Sequence, residues 1–211
     1  MSYDNNYYQV NSQLSLFPPA IKHLIFINLI IALGLFSDEL YYLAFEHFAI
    51  FGPESRYGQF RPWQLVTYMF MHARFLESAS HVIFNMLVLW MFGQEVENRW
   101  GTRKFVFFYF FTGIGAGLVH LLVNPEGVMV GASGAVYGVL LAFGMTFPNR
   151  QVMLLFPPIP MKAKYLVTMF GVMAFLSGFG SSGDNVAHYA HLAGMVFGFF
   201  LIQFWKLKKQ N

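Results

Sequence analysis

The sequence predicts an all-α membrane protein, a bundle of six transmembrane helices with a long, structured first outer loop. Two features of the composition indicate this class: 56% of the 211 residues are hydrophobic, and only 11% are charged. A soluble domain carries roughly 25% charged residues, so this chain has too few polar side chains to cover a soluble fold. The third observation is the spacing of the charges, which leaves six apolar windows without Asp, Glu, Lys or Arg.

Each charge-free window is a candidate membrane-spanning helix. Five windows hold 17 to 23 residues, which suits a helix that crosses a hydrocarbon layer of roughly 30 Å. The first window is shorter, with 15 residues. The charged residues that bound the windows are Lys22 and Asp38, Glu77 and Glu95, Lys104 and Glu126, Glu126 and Arg150, Lys164 and Asp184, and Asp184 and Lys206.

The distribution of Lys and Arg predicts the orientation of the bundle. With six spans, both termini lie on the same side, together with 10 of the 13 basic residues, and only Arg56, Arg61 and Arg74 lie on the other side. Because loops rich in Lys and Arg stay in the cytoplasm, we expect both termini to be cytoplasmic. Attraction to anionic lipid in the bilayer explains the formal net charge of +3, so no nucleic-acid partner is expected.

The chain divides into a polar N-terminal tail, residues 1–18, and a single transmembrane domain, residues 19–211. The N-terminus lacks the features of a secretory signal, so we keep the first span in the mature protein. Between Asp38 and Glu77, eight charged residues are mixed with aromatic ones, and we expect short amphipathic helices at the membrane surface. The absence of Cys excludes disulfides and thiolate-metal sites.

A motif of small residues, Gly131-Ala132-Ser133-Gly134, opens the fourth span. Small residues let membrane helices pack closely, and packing alone would explain them. The other interpretation is a nucleophilic serine. Ser133 lies at a helix start, where free N–H groups and the positive end of the helix dipole can stabilise an oxyanion. Both interpretations can hold together.

Two further motifs place histidines in spans. In the sixth span, His191 precedes Gly194, and a serine in the membrane needs such a base to take its proton. In the second span, His81 and Asn85 are four residues apart and share one helix face, so both could donate hydrogen bonds to an oxyanion. A role in helix packing stays open for each. Because spans 2, 4 and 6 all begin on the outer side, His81, Ser133 and His191 should lie at similar depth.

These three motifs, in this order and on these spans, resemble the rhomboid family of intramembrane serine proteases. The match runs from about Trp63 to Trp205, and Glu97-Asn98-Arg99-Trp100-Gly101 is similar to the family's Glu-x-Arg-x-Gly element. In its first loop the chain has Trp63-Gln64, where the family often carries Trp-Arg. The resemblance is to the bacterial-type core of six spans, which implies a bacterial inner (plasma) membrane.

The resemblance implies a serine endopeptidase that cleaves transmembrane-helix substrates with a Ser–His dyad and needs no cofactor or metal. Ser133 would be the nucleophile and His191 the general base. His81, Asn85 and the backbone N–H of Ser133 would form the oxyanion hole. The supporting residues would be Tyr137, which packs on the base, and the glycines Gly131, Gly134 and Gly194. The site would open to the outer side, with the fifth span gating substrate entry.

Three alternatives stay open. A catalytically inactive rhomboid-like protein would bind transmembrane helices without cutting them, although such relatives usually lose the Ser or the His that this chain keeps. A membrane metal or haem protein could use His81, His188 and His191, although no His-Glu-x-x-His motif is present. A transporter would show paired broken helices or an inverted repeat, which we do not find in the sequence.

Overall fold

In the computed structural model, the described residues are 14–153, 158–178 and 185–208. They form a helical bundle with four strands of two or three residues each. The helices are α1 (Pro19–Gly34), α2 (Asp38–Phe48), α3 (Gln64–Thr67), α4 (Phe75–Val88), α5 (Gln94–Trp100), α6 (Thr102–Val123), α7 (Ser133–Thr146), α8 (Ala163–Ser177) and α9 (Asn185–Leu207). A 3₁₀ turn, Tyr68–Phe70, follows α3, and a π-helical turn, Leu89–Gly93, joins α4 to α5.

The predicted bundle of six transmembrane helices is confirmed. In chain order, the six charge-free windows correspond to α1, α4 continued by α5, α6, α7, α8 and α9. Within the described part of the chain, α6 and the segment His188–Leu207 of α9 are each long and apolar enough to cross a membrane. Helices α1, α7 and α8 are apolar but shorter, with 16, 14 and 15 residues.

Helix α7 lies at the centre of the bundle, packed against α6, α8, α9 and the π-helical turn. Its glycines make these contacts close. A Cβ added at Gly138 would lie 2.7 Å from Thr112 of α6, and one at Gly144 would lie 2.6 Å from Val167 of α8. Small side chains therefore let neighbouring helices pack close to α7. Membrane helices associate through such close packing, because lipid is as apolar as leucine and gives no hydrophobic driving force between helices.

The first outer loop is structured, as predicted, and it supports the chain just before α7. Its strand β1 (Ile50–Phe51) pairs antiparallel with β2 (Val128–Met129). Next to this pair, the Gly52 N–H donates to the carbonyl of Gly127 at 2.8 Å. The two other strands, β3 (Gln151–Met153) and β4 (Pro160–Lys162), pair between α7 and α8 at the opposite end of the bundle.

Gln64 joins the helices of the first outer loop. This side chain is fully buried: its Oε1 accepts a hydrogen bond from the Arg61 N–H, and its Nε2 donates to the carbonyl of His47. The indole N–H of Trp63 donates to the same carbonyl at 3.0 Å, and the Arg61 guanidinium lies over the Trp63 ring. A neutral glutamine therefore ties α3 to the end of α2 at the position where the resemblance implies an arginine.

The N-terminus of α1 is capped by a buried carboxylate from α5. The two oxygens of Glu97 accept hydrogen bonds from the backbone N–H groups of Ala20 and Ile21, each at 2.9 Å, and Oε1 also accepts one from the Thr102 hydroxyl at 2.7 Å. Free N–H groups at a helix start favour a negative charge. The Glu-x-Arg-x-Gly element thus fixes the first span against the second.

Residues just before α1 also contact the second span. Phe17 stacks on Trp90, and the indole N–H of Trp90 donates to the carbonyl of Leu16. Ser15 and Asn98 exchange two hydrogen bonds. Most of the predicted tail, residues 1–13, lies outside the described residues, so the boundary at residue 18 stays a prediction.

Candidate active site

Ser133 is the first residue of α7, and α7 is short. Its 14 residues correspond to about 21 Å of helix at 1.5 Å per residue, less than the roughly 30 Å of a hydrocarbon layer. A helix of this length falls short of the layer, so backbone next to its ends needs hydrogen bonds from the protein. The pairing of β1 with β2 supplies them.

Gly131 shapes the turn that leads into Ser133. Its φ of +118° lies in a region that side chains disfavour, and its N–H donates to the carbonyl of Tyr68 at 2.9 Å. A Cβ at this position would lie 3.1 Å from Cε1 of His81 and 3.9 Å from Oγ of Ser133. The glycine therefore allows the His81 ring and the Ser133 hydroxyl to lie on either side of one narrow space.

A cavity of about 130 Å³ joins the predicted site residues. Its polar lining consists of Ser133, His191, His81, Asn85 and Tyr137, which come from α7, α9 and α4. Apolar side chains complete the wall: Phe84, Val88, Phe92, Val136, Leu140 and Phe170. The arrangement puts a hydroxyl, two imidazoles and an amide in one small, mostly apolar space.

The His191 ring is held by stacking. The Tyr137 ring lies parallel to it, with centroids 4.3 Å apart and an angle of 2° between the planes, and His188 packs edge-on at 5.9 Å. The buried Nδ1 of His191 has no hydrogen-bond partner among the described residues. Asp184, the carboxylate that precedes His191 most closely in the sequence, lies outside them.

Two glycines bring α7 and α9 into backbone contact beside the site. A Cβ at Gly194 would lie 1.9 Å from the carbonyl oxygen of Gly134, and one at Gly134 would lie 2.5 Å from Cβ of Ala116 on α6. Gly134 directly follows Ser133, and Gly194 is three residues after His191. The close contact therefore determines how far apart the backbones of these two residues are.

Asn85 is buried at the side of the cavity. Its Nδ2 donates to the carbonyl of His81, one turn earlier on α4, at 3.0 Å. An amide nitrogen carries two N–H donors, and this bond uses one of them. The bond also orients the amide on the helix face that it shares with His81.

One residue at the site, His72, has no assigned role in the sequence analysis. It lies before α4 and is 4% exposed, and its ring packs edge-on against His81 with centroids 5.4 Å apart. Burial, with a smaller contribution from His81, lowers the pKa of His72 to about 4. In the sequence, His72 is visible only as a histidine between the apolar residues Phe70-Met71 and Ala73. This pattern does not indicate that its ring contacts His81, nine residues later.

Groups of three or more His, Asp or Glu side chains that could bind a metal ion do not occur in the described part of the chain. His188 and His191 are neighbours on α9, whereas His81 lies on α4 and packs against His72.

Sequence comparison with known proteins places this chain in a family. A model described as "Rhomboid domain" matches residues 59–207, well over half of the chain. The chain is 35% identical over 178 residues to "Rhomboid-like protein 11, chloroplastic" of Arabidopsis thaliana, an alignment that covers 80% of this chain and 61% of the relative.

Two relatives are named as proteases. "Rhomboid-like protease 3" of Toxoplasma gondii is 29% identical over 150 residues, which is 71% of this chain and 54% of that protein. "Rhomboid protease GluP" of Bacillus subtilis is 29% identical over 140 residues, 65% of this chain and 25% of that protein. The chain spans less than two thirds of the length of each of these three relatives. With the family model matching most of its length, the chain belongs to the rhomboid family of integral membrane proteins.

Proposed function

We propose that this protein is an intramembrane serine endopeptidase that cleaves transmembrane-helix substrates with a Ser–His dyad. The observation that carries the proposal is the convergence of Ser133 and His191 on one small cavity. Membership of the rhomboid family and the two relatives named as proteases support it.

In this proposal Ser133 attacks a substrate carbonyl while His191 takes the proton from its hydroxyl. The same histidine then gives the proton to the leaving amine, and a water molecule hydrolyses the acyl-enzyme in the reverse sequence of proton transfers. The parallel Tyr137 ring holds the imidazole plane, a role that a carboxylate has in a three-residue triad.

The developing oxyanion would be stabilised from two directions. The N–H of Ser133 belongs to the first turn of α7, where backbone donors are free and the helix dipole is positive. The side chains of His81 and Asn85 would donate from α4. Such donors are effective because they are positioned before the charge develops and are shielded from bulk water.

The size of the cavity restricts how a substrate reaches Ser133. A volume of about 130 Å³ is below the roughly 300 to 1,000 Å³ of ordinary ligand sites. A helical substrate hides its own peptide bonds, so it must unwind locally and a wall of the cavity must move. We propose that α8, the fifth span, is that wall, because it contributes Phe170 to the cavity and exposes Val172, Met173, Phe175 and Leu176 on its outer face.

The orientation is also part of the proposal. The excess of Lys and Arg on the side of the termini supports a cytoplasmic location for both ends and an active site that opens outward. Relatives include a protein named as chloroplastic, and a bacterial inner membrane stays a prediction.

A fluorophosphonate probe on detergent-purified protein tests the proposed dyad. We expect the wild type to be labelled, and Ser133→Ala and His191→Ala to lose labelling while keeping the thermal unfolding profile. Ser177→Ala, a serine on α8 that does not line the cavity, is the matched control and should label normally. Asn85→Ala should weaken labelling by roughly one to three orders of magnitude, as for other single oxyanion donors.

Two outcomes would contradict the proposal. Full labelling of Ser133→Ala would show that another residue is the nucleophile. Absence of labelling in well-folded wild type would favour the alternative of a catalytically inactive rhomboid that binds transmembrane helices. Cleavage of a transmembrane substrate in proteoliposomes, lost in both variants, would extend the test from serine reactivity to proteolysis.

A further inference from the structure

A second pocket lies at the opposite end of α7 from Ser133. It has a volume of about 450 Å³ and lies between the ends of α5, α6, α7 and α9. Three basic side chains line it, Arg99, Lys104 and Lys206, together with the indoles of Trp100 and Trp205. We call it the Trp–Lys pocket.

The aromatic rings of the Trp–Lys pocket hold a cation in place. The Nζ of Lys104 lies 4.2 Å from the centre of the Trp205 ring and 5.2 Å from that of Trp100. The two indoles meet edge to face with centroids 5.6 Å apart. Such cation–π contacts orient the ammonium group, so the pocket has a defined positive centre.

The charged side chains that line the pocket are all basic. Its lining contains no Asp or Glu. On α5, Glu95 pairs with Arg150, and both oxygens of buried Glu97 accept hydrogen bonds from the start of α1. In the described part of the chain, neither Arg99 nor Lys206 has a carboxylate within ion-pair distance.

Helix α6 adds to the positive potential. It begins at Thr102, two residues before Lys104, and runs for 22 residues. The first turn of a long helix presents free N–H groups and the positive end of its dipole, which favours phosphate and other anions. The side chains and the backbone therefore attract the same kind of ligand.

The rest of the pocket is suited to an acyl chain. Met145 and Thr146 of α7 and the buried Ile202 of α9 complete its lining. Phe107 of α6 is 56% exposed, and its ring lies 6.3 Å from that of Trp205. An apolar surface thus continues from the cationic centre to the outside of the bundle, where lipid would lie. Paired tryptophans at the ends of spans are typical of the membrane–water interface.

We propose that the Trp–Lys pocket binds an anionic phospholipid, with its phosphate at Arg99, Lys104 and Lys206 and an acyl chain along Met145, Ile202 and Phe107. A phospholipid headgroup and free phosphate would both present a phosphate group to these side chains. The apolar surface that continues from the pocket favours the lipid. By the distribution of basic residues, the lipid belongs to the cytoplasmic leaflet. This site is independent of the proposed proteolysis, because it lies at the other end of α7.

Native mass spectrometry of the full chain, titrated with phosphatidylglycerol or with phosphatidylcholine of the same acyl chains, tests the site. We expect one phosphatidylglycerol to bind per protein, in preference to phosphatidylcholine. The double variant Arg99→Gln/Lys206→Gln should bind phosphatidylglycerol at least roughly tenfold more weakly, the effect of removing hydrogen bonds between charged groups. Both residues are exposed, so the fold should be retained, which the thermal unfolding profile checks.

The matched control is Lys22→Gln/Arg103→Gln. It also removes two exposed cations from the side of the termini, but neither lines the pocket. Equal weakening in the two double variants would show diffuse charge attraction and overturn the site. Binding of phosphatidylcholine as tight as that of phosphatidylglycerol would do the same. If millimolar inorganic phosphate displaced the lipid completely, the ligand would be a free anion and the lipid assignment would be wrong.

Discussion

Replacing Gly194 with alanine tests whether the contact between α7 and α9 positions the proposed dyad. The added Cβ would lie 1.9 Å from the carbonyl oxygen of Gly134, whereas the closest ordinary contacts between such atoms are about 3.3 Å. The obstacle is backbone, which cannot rotate away as a side chain can. The two helices would therefore have to separate by about 1.4 Å, and Ser133 and His191 would separate with them.

Two opposing terms set the size of the effect on stability. Alanine in a helix is favoured over glycine by roughly 0.5 to 1 kcal/mol, whereas an overpacked core typically costs about 1 to 3 kcal/mol and occasionally more. Overpacking should dominate, because both helices are continuous at this point and the atom that obstructs the new Cβ belongs to the backbone. The effect on catalysis should be larger, since a displacement of about 1 Å can reduce the rate roughly 100-fold.

The assay combines thermal unfolding in detergent with the rate of fluorophosphonate labelling. We expect Gly194→Ala to lower the unfolding temperature and to slow labelling about 100-fold. Gly34→Ala is the control, because a Cβ at that helical position meets nothing within 4 Å, and it should keep the labelling rate and an unchanged or higher unfolding temperature. Wild-type stability and labelling in Gly194→Ala would refute the idea that this contact positions the dyad.

Three further perturbations follow from the structure. Gly131→Ala forces a side chain into a positive φ and against His81, so labelling should fall roughly five- to 150-fold, which corresponds to about 1 to 3 kcal/mol of backbone strain; an unchanged rate would contradict the need for glycine. Glu97→Gln replaces one of two buried acceptor oxygens with a donor, so the free energy of unfolding, measured by calorimetry in detergent, should fall by about 1 to 3 kcal/mol. Glu95→Gln is the control, and because the ion pair of Glu95 is partly exposed, it should lower the same free energy by less than about 1 kcal/mol. Because the folded-state pKa of His72 is lowered to about 4, the unfolded chain takes up a proton near pH 6.5 that the folded chain does not, so stability should fall as pH drops from 6.5 to 4. The His72→Gln variant should lose less stability over that range, and an identical pH profile would contradict the link to this residue.

The membrane spans could be predicted because membrane burial leaves a local signal. A helix that crosses lipid excludes charge over its whole length, so the six windows coincide with helices in the structure. The common depth of His81, Ser133 and His191 followed from the same signal combined with chain direction. The expectation that they share one site came from their motifs and from the resemblance to rhomboids, because depth alone does not determine which side of a helix faces the cavity.

The support of the site could not be predicted, because it depends on contacts between segments far apart in the chain. Ile50 pairs with Met129 through strands of only two residues, too short to produce an alternating pattern. The carbonyl of Tyr68 that accepts a hydrogen bond from Gly131 is a backbone group. Because every residue has one, the residue types do not reveal this contact. His72 and the Trp–Lys pocket were missed for the same reason, since their neighbours come from separate helices.

The short length of α7 connects these observations to function. In the proposed function, a short helix that begins at Ser133 would place a reactive hydroxyl below the membrane surface, and the first outer loop would cover the backbone before it through β1 and β2. Shielding of this kind would strengthen an oxyanion hole, but it also leaves a cavity of only about 130 Å³. Reactivity and access are therefore separate requirements. Labelling by the small fluorophosphonate probe tests the reactivity of the serine, whereas proteolysis also requires α8 to move. A variant that stiffens α8 should therefore retain labelling and lose cleavage.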